Sequence, residues 1–117
     1  MPLVIVNRGT TWVPTEELFS RLVDRLPEII ANALTCENPD GKLTPADIEV
    51  WVRRSDSKDI VTDKIQIVVF ASLFPERAAN LDARQKIIND RIKEILRGTN
   101  FHGWVWIRLA PSSFGEF

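Results

Sequence analysis

Two short segments that echo each other constrain the fold of this 117-residue chain more than any other feature. Val50–Arg53 reads VWVR and Val105–Arg108 reads VWIR, so each places tryptophan and arginine at alternate positions of a strand-like run. Each segment ends a stretch whose pattern predicts strand, helix and strand. A similar segment at matching places in two similar units indicates an internal duplication. A strand, a helix and a strand of these lengths favour a right-handed parallel crossover in each half.

The predicted fold is α/β (α+β), with duplicated β-α-β units that form a four-stranded mixed sheet covered by two helices on one face. We predict a single domain over residues 1–117, with repeat halves of about 1–55 and 63–110 and a tail over 111–117. The predicted helix caps and ends are Thr15, Asn80 and Gly98. Pro27 predicts a kink or short break near Val23 to Leu26 in the first helix, and a loop is predicted at Pro75–Arg77. The predicted strands are Leu3–Val6, Ile48–Arg54, Lys64–Ala71 and Gly103–Leu109.

Alternation along the strands predicts one sheet face that no helix covers. Side chains of a strand point to opposite faces in turn, so Val50 and Val52 should face the helices while Trp51 and Arg53 face away. The same uncovered face should carry the following residues of the other strands: Trp104, Trp106, Arg108, Val68 and Phe70. A soluble monomer rarely exposes so much aromatic surface. We therefore expect self-association, with the tail residues Phe114 and Phe117 reaching a neighbouring copy.

Composition excludes several classes of function. Apolar residues make up 44% and charged residues 26% of the chain, as in ordinary soluble domains. The net charge of −1 means that the chain has no excess of positive charge with which to bind nucleic acid or membranes as partners. The single cysteine, Cys36, excludes an internal disulfide. No apolar run is long enough for a membrane helix and no signal peptide is recognisable, so we expect a cytoplasmic location.

The amino terminus contains a group that can act as a base. Pro2 stands directly before the apolar run Leu3–Val6, which reads as a central strand. If Met1 is removed, Pro2 becomes a secondary amine fixed to the end of that strand. An α-amino group titrates at about 7.7–8.0, so modest desolvation or nearby positive charge would make it a neutral base near pH 7.

These features together resemble the tautomerase superfamily. The resemblance rests on the Met-Pro start, on the doubled β-α-β pattern, on the passage Ala71–Arg77 and on the helix start Leu81–Gln85. The superfamily includes 4-oxalocrotonate tautomerase, 5-carboxymethyl-2-hydroxymuconate isomerase and macrophage migration inhibitory factor. The helix start is similar to that of the carboxymethyl-hydroxymuconate isomerases in particular.

The resemblance implies a homotrimer that performs keto–enol proton transfer without a cofactor or metal. Pro2 would act as general base or acid on a small anionic 2-oxo or 2-hydroxymuconate-type acid. Lys42 would border the site, and Trp106 and Arg108 would reach it from the neighbouring subunit. Arg53 would add a second arginine to the wall of the substrate pocket. The chain contains no tyrosine, so Trp106 would replace a hydroxyl that some members use.

The sequence is compatible with two other readings. The same element order describes a ferredoxin-like fold, in which strands two and three form an antiparallel hairpin and the protein is a dimeric binding module. A third reading keeps the tautomerase fold in a trimeric protein without catalysis, which retention of Met1 would favour. Arg77 and Arg84 are expected to serve in capping or surface pairing rather than in substrate binding.

Overall fold

The computed structural model describes residues 2–9, 16–56, 58–60, 65–99, 101–113 and 115–117. The predicted cap at Thr15, the start of the third strand at Lys64, and Met1 and Phe114 lie outside these ranges. The strands are β1 (Leu3–Arg8), β2 (Glu49–Arg54), β3 (Ile65–Ser72) and β4 (Gly103–Ala110). The helices are α1 (Glu16–Leu34), α2 (Pro75–Ala79) and α3 (Leu81–Ile95), with single 3₁₀ turns at Pro39–Gly41 and Pro45–Asp47.

The four strands form one mixed sheet in the order β2-β1-β3-β4. β1 pairs in parallel with β2 and antiparallel with β3, and β3 pairs in parallel with β4. The predicted α+β fold with two parallel β-α-β units is therefore confirmed. The ferredoxin-like reading is wrong, because it requires β2 and β3 to be neighbours and here β1 lies between them.

The core lies between one face of the sheet and the two long helices. Val4 and Val6 of β1 are completely buried, as are Leu22 and Leu26 of α1 and Ile88 of α3. These residues occupy alternate positions on the strand and helical spacing on the helices, which is the pattern expected for faces that pack together. Burial of this apolar surface is the main force that holds the helices on the sheet.

The structure departs from two predictions about the helices: α1 has no break, and Pro75–Arg77 is helical. α1 continues through Pro27 without a break, although proline removes one backbone hydrogen bond. Buried residues on both sides of Pro27, including Leu26 and Ile29, hold the helix in place there. Pro75–Arg77 is not a loop but the beginning of α2, in which Pro75 occupies the first turn, where no N–H is required.

One face of β2 is less buried than predicted. Val50 is half-buried, but Val52 is 39% exposed. β2 is an edge strand, so neighbouring elements cover its outer part less completely than they cover the central strands. The alternation itself is confirmed, because the register places Trp51 level with Ile5 and Trp106 level with Val68. In the part of the chain that the structure describes, no helix is both long and apolar enough to cross a membrane.

Candidate active site

Pro2 lies at the end of the central strand pair. It is buried, and its carbonyl oxygen accepts a hydrogen bond of 3.1 Å from the amide of Glu49, which continues the pairing of β1 with β2. The register that pairs Leu3 with Phe70 puts Pro2 level with Ala71 near the carboxyl end of β3. Any group at this position is therefore held by strands on both sides and has little freedom to move.

A cavity of about 460 Å³ opens at the same end of the sheet. It is lined by Leu3, which follows Pro2, and by Phe70, Ser72 and Arg108 together with the segment after β4. Pro2 itself is not among the described residues that line it. The hydroxyls of Ser72 and Ser112 are in hydrogen-bond contact at one side of this cavity. Ser113 also lines it, so the described residues give the cavity apolar walls, three serine hydroxyls and one cation.

The cation is the guanidinium of Arg108, which lies against two aromatic rings. Its central carbon is 4.8 Å from the centre of the Trp106 ring and 5.9 Å from that of Phe70. Stacking on rings orients the guanidinium and leaves its N–H groups free to bind an anion. Among the residues that the structure describes, no carboxylate forms an ion pair with Arg108. Arg108 is therefore available for a carboxylate or an enolate oxygen.

Arg108 and Pro2 belong to opposite faces of the sheet within one chain. Arg108 shares the uncovered face with Trp106, whereas Pro2 follows the alternation of Val4 and Val6, which face the helices. The two faces meet at the end of the sheet, where Arg108 of the uncovered face and Ala71 of the helix-covered face line the same cavity. An anion held by Arg108 can approach the amino terminus only around this end or from a neighbouring chain.

Lys42 lies at the same end of the molecule, in the loop between α1 and β2. Its side chain is exposed, and its amide is 3.4 Å from the carbonyl oxygen of Pro39 at the end of the 3₁₀ turn. The preceding Gly41 is packed tightly, because a Cβ atom there would lie 2.8 Å from the Cβ atom of Cys36. Packing therefore favours glycine at position 41, while the side chain of Lys42 extends into solvent.

Arg77 fixes this loop to the sheet from inside the protein. Only 1% of its surface is exposed, and its guanidinium donates hydrogen bonds to the carbonyl oxygens of Leu34, Ser72 and Gly41. It also stacks 5.0 Å from the ring of Phe74. Burial lowers the pKa of Arg77, but the three carbonyl oxygens hold the guanidinium in place. Arg77 therefore positions the candidate site and cannot itself reach a ligand.

Arg84 performs a related task beside Arg77. Its guanidinium donates to the carbonyl oxygens of Ala33 and Thr35 at the end of α1 and pairs with Glu76 at 3.6 Å. The expectation that these two arginines serve in capping rather than in substrate binding agrees with these contacts. Their almost complete burial was not predicted. The last turn of α1 contains no basic residue and is not followed by glycine, so the sequence near the helix end provides no usual partner for its last carbonyl oxygens. This was the one feature of the sequence that could have indicated donors from elsewhere in the chain.

Arg53 stands apart from the other predicted site residues in a single chain. It lies on β2, at the opposite edge of the sheet from Arg108, and β1 and β3 separate them by about 14 Å at ordinary strand spacing. It is also level with Asn7, at the other end of β1 from Pro2. Its guanidinium stacks 5.2 Å from the ring of Trp51 and donates to the carbonyl oxygen of Val52. Within one chain the structure does not bring Arg53 to the cavity.

A polar contact on the uncovered face had no signal in the sequence. The amide nitrogen of Asn7 donates to the side-chain oxygens of Gln66 at 2.7 Å and of Ser55 at 3.0 Å. It links the two central strands on this face and satisfies polar atoms that are largely buried. Among the described residues, no group of three histidine, cysteine or acidic side chains is arranged to hold a metal ion.

Comparisons with known proteins bear on the fold. No protein-family model and no curated protein matches the chain. Among solved structures, a malonate semialdehyde decarboxylase is similar with a TM-score of 0.64 at 12% identity, over 97% of this chain and 91% of that one. A fused 4-OT protein described as a symmetric trimer gives a TM-score of 0.59 at 15% identity, over 93% and 85%.

A third similar structure is a macrophage migration inhibitory factor-like protein from Entamoeba histolytica. Its TM-score is 0.55 at 16% identity, over 96% of this chain and 89% of that one. Identities this low carry no residue roles or substrates from one protein to another. The three structural similarities agree with the observed strand order. The chain therefore has the fold of the tautomerase superfamily.

Proposed function

We propose that the protein is a cofactor-free tautomerase that moves a proton between oxygen and carbon of a small anionic 2-oxo or 2-hydroxymuconate-type acid. The observation that carries this proposal is the position of Pro2 at the end of the central strand, next to a cavity whose arginine, Arg108, pairs with no carboxylate of the described residues. Removal of Met1 would expose a secondary amine at that point. The fold, which the similar enzymes share, adds support.

The proposed reaction needs only two groups of the protein. The neutral amine of Pro2 takes the hydroxyl proton of an enol, and the electron pair of the O–H bond stays on oxygen as an enolate. The enolate pair then forms the carbonyl while the C=C pair takes a proton from the protonated amine at carbon, which returns Pro2 to its neutral form. Arg108 binds the substrate carboxylate or the oxygen on which negative charge develops, as a bidentate cation can.

The proposed enzyme is a homotrimer in the cytoplasm. Trp106 is 55% exposed in a single chain, and Trp51, Phe70 and Trp104 on the same face are each more than a third exposed. Packing this face against other copies would remove a large aromatic surface from water. It would also allow Arg108 and Trp106 of one subunit to approach Pro2 of the next, whereas within one chain Arg108 and Pro2 belong to opposite faces and meet only around the end of the sheet.

The test begins with the state of the amino terminus. An intact-mass measurement on protein from its native cell should show loss of Met1. The processed protein should then ketonise phenylenolpyruvate or 2-hydroxymuconate, followed by ultraviolet absorbance. Acetylation of the Pro2 nitrogen should abolish the rate and Pro2→Ala should weaken it, whereas Arg21→Gln on the solvent side of α1 should leave it unchanged. Equal activity of the acetylated protein would remove Pro2 from the mechanism.

A second candidate is a trimeric protein of the same fold without catalysis. Its support is that Pro2 is buried and is not among the residues that line the cavity next to it. Retention of Met1 would leave the Pro2 nitrogen as an amide, which has no basic lone pair. A native protein that keeps Met1 and still assembles would favour this candidate.

A further inference from the structure

The two halves of the chain are related by an approximate twofold axis between β1 and β3. Ile5 pairs with Trp51 in the first half, and Val68 pairs with Trp106 in the second, both in parallel pairs. Trp51 and Trp106 occupy the same position in the repeated segments VWVR and VWIR, so their partners Ile5 and Val68 correspond to each other. By the same register, Pro2, three residues before Ile5, corresponds to Ile65, three residues before Val68.

A large cavity lies at this symmetric position. It has a volume of about 510 Å³ and opens between the carboxyl end of α3 and the starts of β3 and β4. Its floor is apolar and buried, formed by Ile65, Ile67, Ile92, Leu96 and Val105. A cavity of this volume with an apolar floor is the usual kind of site for a small molecule.

The mouth of this cavity is positively charged. Lys93 and Arg97 line it, and both are exposed. Neither forms an ion pair with a described residue, and no aspartate or glutamate is among the described residues that line the cavity. The side-chain amide nitrogen of Gln85 already donates to the carbonyl oxygen of Val105 at 2.7 Å. The other polar side chains of the described lining are those of Asn89, Thr99 and His102, so its lysine and arginine are Lys93 and Arg97.

The geometry points to a second binding site, and we propose that this cavity binds a small carboxylate with an apolar body. The apolar part would lie on the floor and the carboxylate would meet Lys93 and Arg97 at the mouth. The site would bind without reaction, because Ile65 stands where Pro2 stands in the first half and offers only an amide nitrogen. The proposal goes beyond the proposed tautomerase activity and does not depend on it.

The probe for this proposal is phenylbutyrate, with the neutral phenylbutyramide as its matched control. Each would be titrated into isotope-labelled protein while backbone amide shifts are recorded by NMR. Phenylbutyrate should shift amides of 92–99 and 103–105, and the neutral amide should bind about 3–10-fold more weakly, the size expected for one solvent-exposed charge contact. Shifts confined to Leu3, Phe70 and Ser72 would place the probe in the other cavity and overturn the proposal.

Two variants separate charge from volume. Arg97→Gln should weaken phenylbutyrate about 3–10-fold and leave phenylbutyramide unchanged. Asn89→Trp, at a half-buried lining position, should fill the cavity and weaken both probes. Arg21→Gln on α1 should change neither. Equal binding of the two probes to the unmodified protein, or an Arg97→Gln variant with unchanged affinity for phenylbutyrate, would contradict the proposal, and amide spectra of each variant would verify its fold.

Discussion

The Nε atom of Arg77 lies 2.9 Å from the carbonyl oxygen of Leu34, the last residue of α1. This contact joins the end of the first long helix to the short helix of the second half. Because the same guanidinium also binds the carbonyl oxygens of Ser72 and Gly41, one side chain fixes the end of β3 and the loop that carries Lys42. The structure of the sheet end near Pro2 therefore depends on the buried guanidinium of Arg77.

Arg77→Met should destabilise the protein strongly. The substitution keeps most of the side-chain volume but leaves three carbonyl oxygens without their donor, at a cost of about 3–5 kcal/mol in the free energy of unfolding. Arg21→Met on the exposed side of α1 is the matched control and should cost under about 1 kcal/mol. Urea denaturation measures both. Similar losses for the two variants would show that the hydrogen bonds of Arg77 contribute no more to the free energy of unfolding than those of a surface arginine.

Ile88→Ala tests the packing of α3 on the sheet. Ile88 is completely buried, so removal of its methyl and methylene groups should lower the free energy of unfolding by about 2–5 kcal/mol. Arg91→Ala, on the flank that pairs with Glu28 at 3.4 Å, should cost well under about 1 kcal/mol. Equal losses in thermal or urea unfolding would mean that the buried face of α3 is assigned wrongly.

Periodicity made most of the fold predictable from the sequence. Alternation in β3 and β4 and helical spacing in α1 follow from burial on one face, and such patterns are visible in a single chain. The continuity of α1 at Pro27 was not predictable in this way, since packing of Leu26 and Ile29 outweighs one missing hydrogen bond. The exposure of Val52 was not predictable either. It follows from the position of β2 at the edge of the sheet, and the alternation of residues along a strand does not reveal the order of the strands.

The candidate site was less predictable than the fold. Alternation placed Arg108 and Trp106 on one sheet face, the resemblance to the tautomerase superfamily implied their role in the site, and the structure brings the two side chains together. Arg53 has the same pattern but lies at the opposite edge, because the internal duplication places the same pair on both outer strands. The roles of Pro2, Lys42 and the two tryptophan-arginine pairs stay predictions, since each needs a neighbouring subunit or an exposed amino terminus.

The ion pair between Arg8 and Glu16 predicts a dependence of stability on pH. The guanidinium of the buried Arg8 donates to Glu16 at 2.9 and 3.3 Å, and this hydrogen bond, with the positive charge of Arg8, lowers the pKa of Glu16 below its ordinary value. The folded carboxyl therefore has a lower pKa than the unfolded one. Its contribution is present above the unfolded value of about 4.3 and is lost as the pH falls through the folded value.

Glu16→Gln should consequently lower stability at pH 7, and its difference from the unmodified protein should shrink as the pH falls below about 4. Urea denaturation at a series of pH values measures this difference. Glu17→Gln, one residue further on the exposed side of α1, should change stability little at pH 7 and serves as the control. A difference for Glu16→Gln that grows toward acid would mean that the pKa of Glu16 is raised, not lowered, in the folded protein.

Trp106→Glu tests the proposed assembly. A charge at the centre of the uncovered aromatic face should prevent its burial against other copies, because an unpaired carboxylate is costly to remove from water. Light scattering at micromolar concentration should give about three times the chain mass of 13.4 kDa for the unmodified protein and a single-chain mass for the variant. Ile87→Glu, at an exposed position of α3, should stay trimeric. A monomeric unmodified protein would contradict the proposed trimer.

The pH dependence of catalysis tests the proposed role of Pro2 most directly. In the processed protein, kcat/KM for ketonisation should rise with pH through a midpoint below the ordinary α-amino value of about 7.7–8.0, because apolar surroundings and a nearby cation disfavour the charged amine. Arg108→Gln should lower kcat/KM by about 100-fold, as removal of a donor to a developing oxyanion does, and should move the midpoint upward. Arg21→Gln should change neither quantity. A midpoint at or above the ordinary value, or one that stays fixed in Arg108→Gln, would show that this arginine does not act on the Pro2 amine.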